Sequence, residues 1–243
     1  MNKASIYLTD QQEVSPNRFK SITQLKNDFT LTVTSYVALT PMDGKVFDSV
    51  LSRLPYQKGS ITNLNITVPI DEILNDFDYI NRTENRRKII QHIENMVGVE
   101  VFLEWDGGDA SFEMLESFES SEDIHSCKVT LSQSFIDAMD KDVAGKRPIN
   151  ISQTFKLQSG YAIELAKILQ MKGRGIDNTT GLPLSVKEIS HPDLCQFLNL
   201  KGDKISTISQ IRKSIIQLVQ YGYSKYRYSS KLNSWQRIDI KTT

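Results

Sequence analysis

Between Lys204 and Lys241 the chain carries eight Lys or Arg and one acid, Asp239. Cations at that density suit a polyanion, since each phosphate they neutralise releases condensed counterions and favours binding. In the same stretch Ser206, Ser209, Gln210, Lys213 and Gln217 recur at spacings that place them on one side of a helix, with Arg212 at its edge. Serine, glutamine, lysine and arginine side chains hydrogen-bond base edges and phosphates. Lys204, Lys225, Arg227 and Lys231 complete the candidate set around that face. The chemistry on offer is recognition of nucleic acid.

Catalytic chemistry is absent from the sequence by the same kind of reading. No Gly-x-x-x-x-Gly-Lys-[Ser/Thr] loop occurs. His92, His125 and His191 stand apart from one another, no pair has the i, i+4 spacing of a helical zinc site, and no Cys-x-x-Cys occurs. His191-Pro192-Asp193-Leu194-Cys195 reads as a helix start with proline in its first turn rather than a Cys–His nucleophile. Tyr221, Tyr223, Tyr226 and Tyr228 lack the histidine pair that a DNA-nicking tyrosine needs, and read as hairpin packing with at most one phosphate contact. The expectation is a protein that is not an enzyme and needs no cofactor or metal. Cys127 and Cys195 read as reduced thiols. No apolar run approaches the ~20 residues of a membrane span, and the first residues lack a secretory apolar core. A cytoplasmic protein without membrane partners is expected.

The elements that must position the cations follow from periodicity. Ile208, Ile211, Ile215, Leu218 and Val219 make an apolar stripe of helical spacing, with Ser206 or Thr207 as cap and Gly222 past the end. A tyrosine-rich strand, a polar turn at 229–233 and a second strand from Ser234 to Lys241 make a hairpin. A helix with a polar reading face backed by a basic hairpin is the recognition helix and wing of a winged helix.

Net charge divides the chain. Residues 151–243 hold 14 Lys/Arg and 6 Asp/Glu, net +8, while residues 1–150 hold 15 and 23, net −8. The expected plan is α+β, with two tandem winged-helix domains: a polar lead-in over 1–24, an acidic domain over 25–142, a linker at 143–150 and a basic DNA-binding domain over 151–243. In the first half an extended run over 29–39 precedes a helix from Pro41 to about Leu54, capped by Thr40. A loop to Asn65, a strand at 66–68, a helix opened by Pro69, a third helix over 84–96 and a hairpin after Gly98 complete the order. The second half repeats it, with a helix over 159–171 that buries Tyr161, Leu165, Ile168 and Leu169, a strand at 184–186 and a short helix at 192–198. The third helices align without gaps, residues 86–93 on 212–219, which points to duplication. Arg86, Arg87 and Lys88 lie there and form the only dense basic cluster of the acidic half, which marks them as a second DNA contact. Nine acids and no Lys or Arg between Glu100 and Asp123 read as a solvated loop.

Laid out in this way, residues 25–240 resemble the plasmid replication initiators of the Rep family that bind origin repeats, the iterons. The segment Phe155–Leu169 is similar to the family's opening of its second domain, Ser-x-Tyr-Ala-x-x-Leu-Tyr-x-Leu-Leu, here Ser159, Tyr161, Ala162, Leu165, Ile168 and Leu169. Ala166 departs from it, standing where an aromatic residue is common. Val129–Phe135 resembles the strand and short helix that close the family's first domain. The resemblance implies double-stranded origin DNA as partner, contacted most strongly by the second domain. It further implies a homodimer formed through the first domain, repression of its own gene, and recruitment of host helicase and initiator proteins. A transcription regulator with an acidic dimerisation or effector domain is the alternative.

Overall fold

The structure, a computed structural model, describes residues 12–26, 29–54, 56–57, 60–61, 64–140, 154–172, 186–198 and 200–238. The expected linker at 143–150, the glycine-containing loop at 173–183 and most of the strand expected at 184–186 lie outside them. The chain divides into two compact units, Met1–Phe155 and Lys156–Thr243.

The first unit runs β1 (Gln12–Ser15), β2 (Arg18–Lys26), β3 (Phe29–Ser35), α1 (Pro41–Leu51), β4 (Tyr56–Gln57), β5 (Ser60–Ile61), β6 (Asn65–Pro69), α2 (Ile70–Asp76), α3 (Thr83–Glu94), β7 (Glu100–Trp105), β8 (Gly108–Glu113), β9 (Leu115–Ser120), β10 (Ser126–Leu131) and α4 (Gln133–Asp140). Helix α1 starts where Thr40 and Pro41 require it. The Thr40 hydroxyl accepts from the Asp43 N–H, and the Asp43 carboxylate accepts from the Thr40 N–H at 2.6 Å, a reciprocal cap. The apolar positions of α1, α2 and α3 meet in a core that includes Val46, Phe47, Ile73, Leu74, Ile89 and Ile93.

Two expectations change here. Residues 12–24, expected as a lead-in, belong to β1 and β2, which pair with β3. The acidic stretch is not a loop. It forms β7, β8 and β9, and β7 and β8 extend the first sheet in the order β1-β2-β3-β7-β8. The acids fit because a strand's side chains alternate: exposed Glu100, Glu104 and Asp109 alternate with inward Val101 and Ala110. Glu100, Glu104, Asp109, Glu116 and Glu119 mark the solvent face of these strands, and Asp106, Glu122 and Asp123 lie in the turns between strands.

The second unit runs α5 (Gly160–Lys172), β11 (Glu188–Ser190), α6 (His191–Phe197), α7 (Lys204–Gln220), β12 (Tyr226–Ser229) and β13 (Ser234–Arg237). Tyr161, expected inside, lies at the surface of α5, while Ala162, Ile163, Leu165 and Ala166 are buried. The strand before α6 lies four residues later than the one expected, with Ile189 as its buried residue.

The two units share one plan. In each, the strand between the first and second helices pairs antiparallel with the last strand of a hairpin: β6-β10-β9 in one, β11-β13-β12 in the other. The first residue of the second helix donates its N–H to the residue just before that last strand, Ile70 to the His125 carbonyl and His191 to the Asn233 carbonyl. In both units the third helix is followed by a glycine at positive φ, Gly98 at 68° and Gly222 at 84°. The hairpin directly after α3, expected to match the second half's wing, instead joins the five-stranded sheet; β9 and β10 occupy the matching place.

Candidate nucleic-acid interface

Helix α7 is capped by Asp203, whose carboxylate accepts from the Ser206 N–H at 2.9 Å. The cap expected at Ser206 or Thr207 therefore moves upstream, and Lys204 and Ile205 enter the first turn. The buried stripe shifts as well. Thr207, Ile211, Ser214, Ile215 and Leu218 are buried, Ile208 is half-buried, and Val219 is 36% exposed. Polar Thr207 and Ser214 tolerate burial because both hydroxyls bond backbone carbonyls of the preceding turn, Lys204 and Gln210.

That rotation sorts the predicted reading residues. Lys204, Ser206, Ser209, Arg212 and Lys213 are exposed. Gln210 is half-buried, and its amide oxygen is shut from solvent with no partner among the described residues. Gln217 belongs to the fold: its side-chain oxygen accepts from the Ser159 N–H at 3.1 Å, at the start of α5. Both glutamines lie on the flank of α7 that packs, so neither stands with the exposed cations. Along the exposed ridge Ile205, Ser209, Arg212 and Ile216 succeed one another at helical spacing, with Ile205 82% and Ile216 57% exposed.

The hairpin carries Lys225, Arg227 and Lys231 on its outside, all exposed. None of these three, nor Lys204, Arg212 or Lys213, pairs with a carboxylate among the described residues. Inside, the tyrosines pack and bond: Tyr226 donates to the Val186 carbonyl at 2.8 Å, Tyr228 to the Asn233 side chain at 2.7 Å, and the Tyr223 hydroxyl accepts from Gln170 at 3.1 Å. Burial pushes the Tyr223 phenol up to about 12. These three hydroxyls serve the fold, as the packing expectation required; Tyr221 is exposed.

His191 bridges α7 and the hairpin. Trp235 Nε1, which can only donate, bonds His191 Nδ1 at 3.2 Å. Nδ1 is therefore the acceptor and Nε2 carries the proton, which it presents to Thr207 Oγ1 at 3.2 Å. The Tyr228 ring packs edge-on at 5.3 Å, and Lys204 Nζ lies 5.8 Å from the Tyr228 ring centroid. Burial, followed by the nearby Lys204 charge, holds the imidazole below its ordinary pKa. Cys195 Sγ lies 3.6 Å from Nε2, but burial raises its pKa, so the pair is no activated nucleophile. Sequence spacing gave no sign of this node, because its members come from α6, α7, β12 and β13.

In the first unit the basic trio disperses. Arg86 Nε donates to Asp71 Oδ1 at 2.8 Å with its side chain largely covered, and Lys88 pairs with Glu84 at 2.7 Å one turn back on α3. The Arg86 guanidinium lowers the Asp71 pKa, with His125 adding to the effect. Arg87 is exposed and carries no ion pair among the described residues. No group of three His, Cys, Asp or Glu side chains that could hold a metal occurs among the described residues. No described helix is long and apolar enough to cross a membrane.

No family model matches the sequence, and no curated protein does. Solved structures do share the fold. The Pi initiator protein in complex with iteron DNA matches with a TM-score of 0.55 at 11% identity, over 83% of this chain and 92% of that one. A selenomethionine derivative of RctB domains 2 and 3 matches with a TM-score of 0.60 at 12% identity, over 91% and 90%. A second structure of RctB domains 2–3 gives 0.54 at 11%, over 87% and 81%. The likeness is one of fold.

Proposed function

We propose that this protein is a sequence-specific double-stranded DNA-binding replication initiator of the iteron-binding Rep type, built from two tandem winged-helix domains and acting without catalysis of its own. The observation that carries the reading is that Lys204, Arg212 and Lys213 on α7 and Lys225, Arg227 and Lys231 on its hairpin have no carboxylate partner among the described residues, while His191 bonds to both elements. The fold shared with the Pi initiator supports it, because that protein's structure holds iteron DNA. So does the repeated plan of the two units, which would give each a third helix and a hairpin to present. In this reading Lys204, Ser206, Ser209, Arg212 and Lys213 face the major groove, and Lys225, Arg227 and Lys231 lie along flanking phosphates. Arg87 offers the first domain's weaker contact. That domain also dimerises, and the bound protein represses its own gene and brings in host helicase.

The test is a footprint of the full chain on DNA flanking its own coding sequence. The expected result is protection of tandem direct repeats, spaced by about one helical turn of 10–10.5 bp or a multiple of it, beside an AT-rich tract. Protection of a lone inverted repeat at a promoter would make it a regulator. No protection at any salt concentration would end the DNA-binding reading.

A further inference from the structure

Two aliphatic side chains stand where a DNA-reading helix would meet its target. Ile205 and Ile216 are eleven residues apart, which at ~100° per residue puts them within about 20° of one ridge of α7, and at ~1.5 Å per residue about 16 Å apart. Ser209 and Arg212 lie between them on that ridge, and Lys204 and Lys213 lie beside it, all exposed. Ile216 is 57% exposed although Ile215 beside it is buried, so the helix had a buried side to offer and kept this residue out of it. A β-branched residue is also a weaker helix former than alanine, so neither isoleucine is there for the helix itself. An apolar ridge set among unpaired cations fits an occupant with negative charge at its rim and apolar groups on its floor. The major groove is such a surface: phosphates border it, and each thymine presents its C5-methyl group there.

Resting on the DNA-binding reading, we infer that Ile205 and Ile216 read thymine methyl groups, so that the target carries thymines at two positions no more than about five base pairs apart, on either side of the base contacted by Arg212. Five base pairs is the 16 Å separation divided by about 3.4 Å per step. The test selects duplexes from a randomised pool with the full chain and then replaces thymines singly by deoxyuridine, which deletes only the methyl. Burying one such group is worth about fourfold in affinity. The expected result is a loss of about fourfold at two thymines, one insensitive in Ile205→Ala and the other in Ile216→Ala, with the salt slope of both variants unchanged. Both positions are exposed and alanine is the better helix former, so folding is not at risk. Indifference of the selected duplex to deoxyuridine would overturn the inference, as would penalties that persist in both variants. Loss of self-association in either variant with the penalties intact would make the ridge a protein contact and likewise overturn it. Failure to enrich any duplex would instead count against DNA reading itself.

Discussion

Replacing His191 by alanine should release α7 from the hairpin, and the size of the effect follows from the bonds it makes. The Trp235 indole is 1% exposed, so its N–H would be left buried without an acceptor, at about 1–3 kcal/mol. The Thr207 hydroxyl keeps the Lys204 carbonyl and is not orphaned. The space vacated by the ring adds about 1–2 kcal/mol. A total of about 2–5 kcal/mol in a unit of this size corresponds to a fall in melting temperature of at least about 8 °C. The pH dependence carries a sign as well. A neutral buried imidazole has a folded pKa below the unfolded ~6.5, so its contribution is complete above that value and is lost as pH falls toward the folded pKa. Lys204, Cys195, Thr207, Tyr228 and Trp235 face the ring, and no carboxylate among them would stabilise the imidazolium. Thermal melts of the full chain followed by tryptophan fluorescence, from pH 7.5 to 5, measure both effects. The readout is the difference between wild type and variant, since other groups titrate in that range. A variant that melts within about 2 °C of wild type, or that keeps the whole acid-side slope, would refute the node.

Lys213→Ala should weaken binding to a selected duplex by about 1–3 kcal/mol and to random duplex far less, while Lys231→Ala should weaken both by a similar factor; anisotropy titrations on the two duplexes separate them. Gln217→Ala should cost about 1 kcal/mol of stability through the lost Ser159 bond and leave sequence preference untouched, and a changed preference would return it to the reading face. Arg86→Ala should destabilise by about 1 kcal/mol without altering the DNA footprint, whereas Arg87→Ala should leave the melt unchanged and shorten the footprint by about one helical turn.

Local chemistry was readable where one residue type decides. Thr40 and Pro41 fixed the start of α1, and Gly98 and Gly222 marked where α3 and α7 stop. Ile211, Ile215 and Leu218 of the expected α7 stripe are buried, but its two ends were misread because hydropathy favours Ile208 and Val219 over Thr207 and Ser214. The latter two satisfy their hydroxyls on their own helix and pack, which a transfer scale does not register. Gln217 and Gln210 looked like reading residues for the same reason. An amide on a helix flank has no sequence mark to say whether its partner is a base or the start of α5. The five-stranded sheet was the largest element missed: β3 finds its partner β7 across three helices, and alternation fixes a strand's faces but not its neighbour.

The charge split takes on a physical meaning once the two third helices are compared. They stand on the same plan, down to the helix-start bond at Ile70 and His191. On α3, Asp71 and Glu84 pair with Arg86 and Lys88, and of the three only Arg87 has no carboxylate partner among the described residues. On α7 the nearest acid, Asp203, is used as the cap. Lys204, Arg212 and Lys213 on α7 and Lys225, Arg227 and Lys231 on the hairpin have no carboxylate partner among the described residues. Placement came from the shared scaffold, and the pairing of each cation decides what that placement is worth: a carboxylate already in contact must be displaced before a phosphate can bind. A surface whose cations have no such partner is the one better fitted to a polyanion.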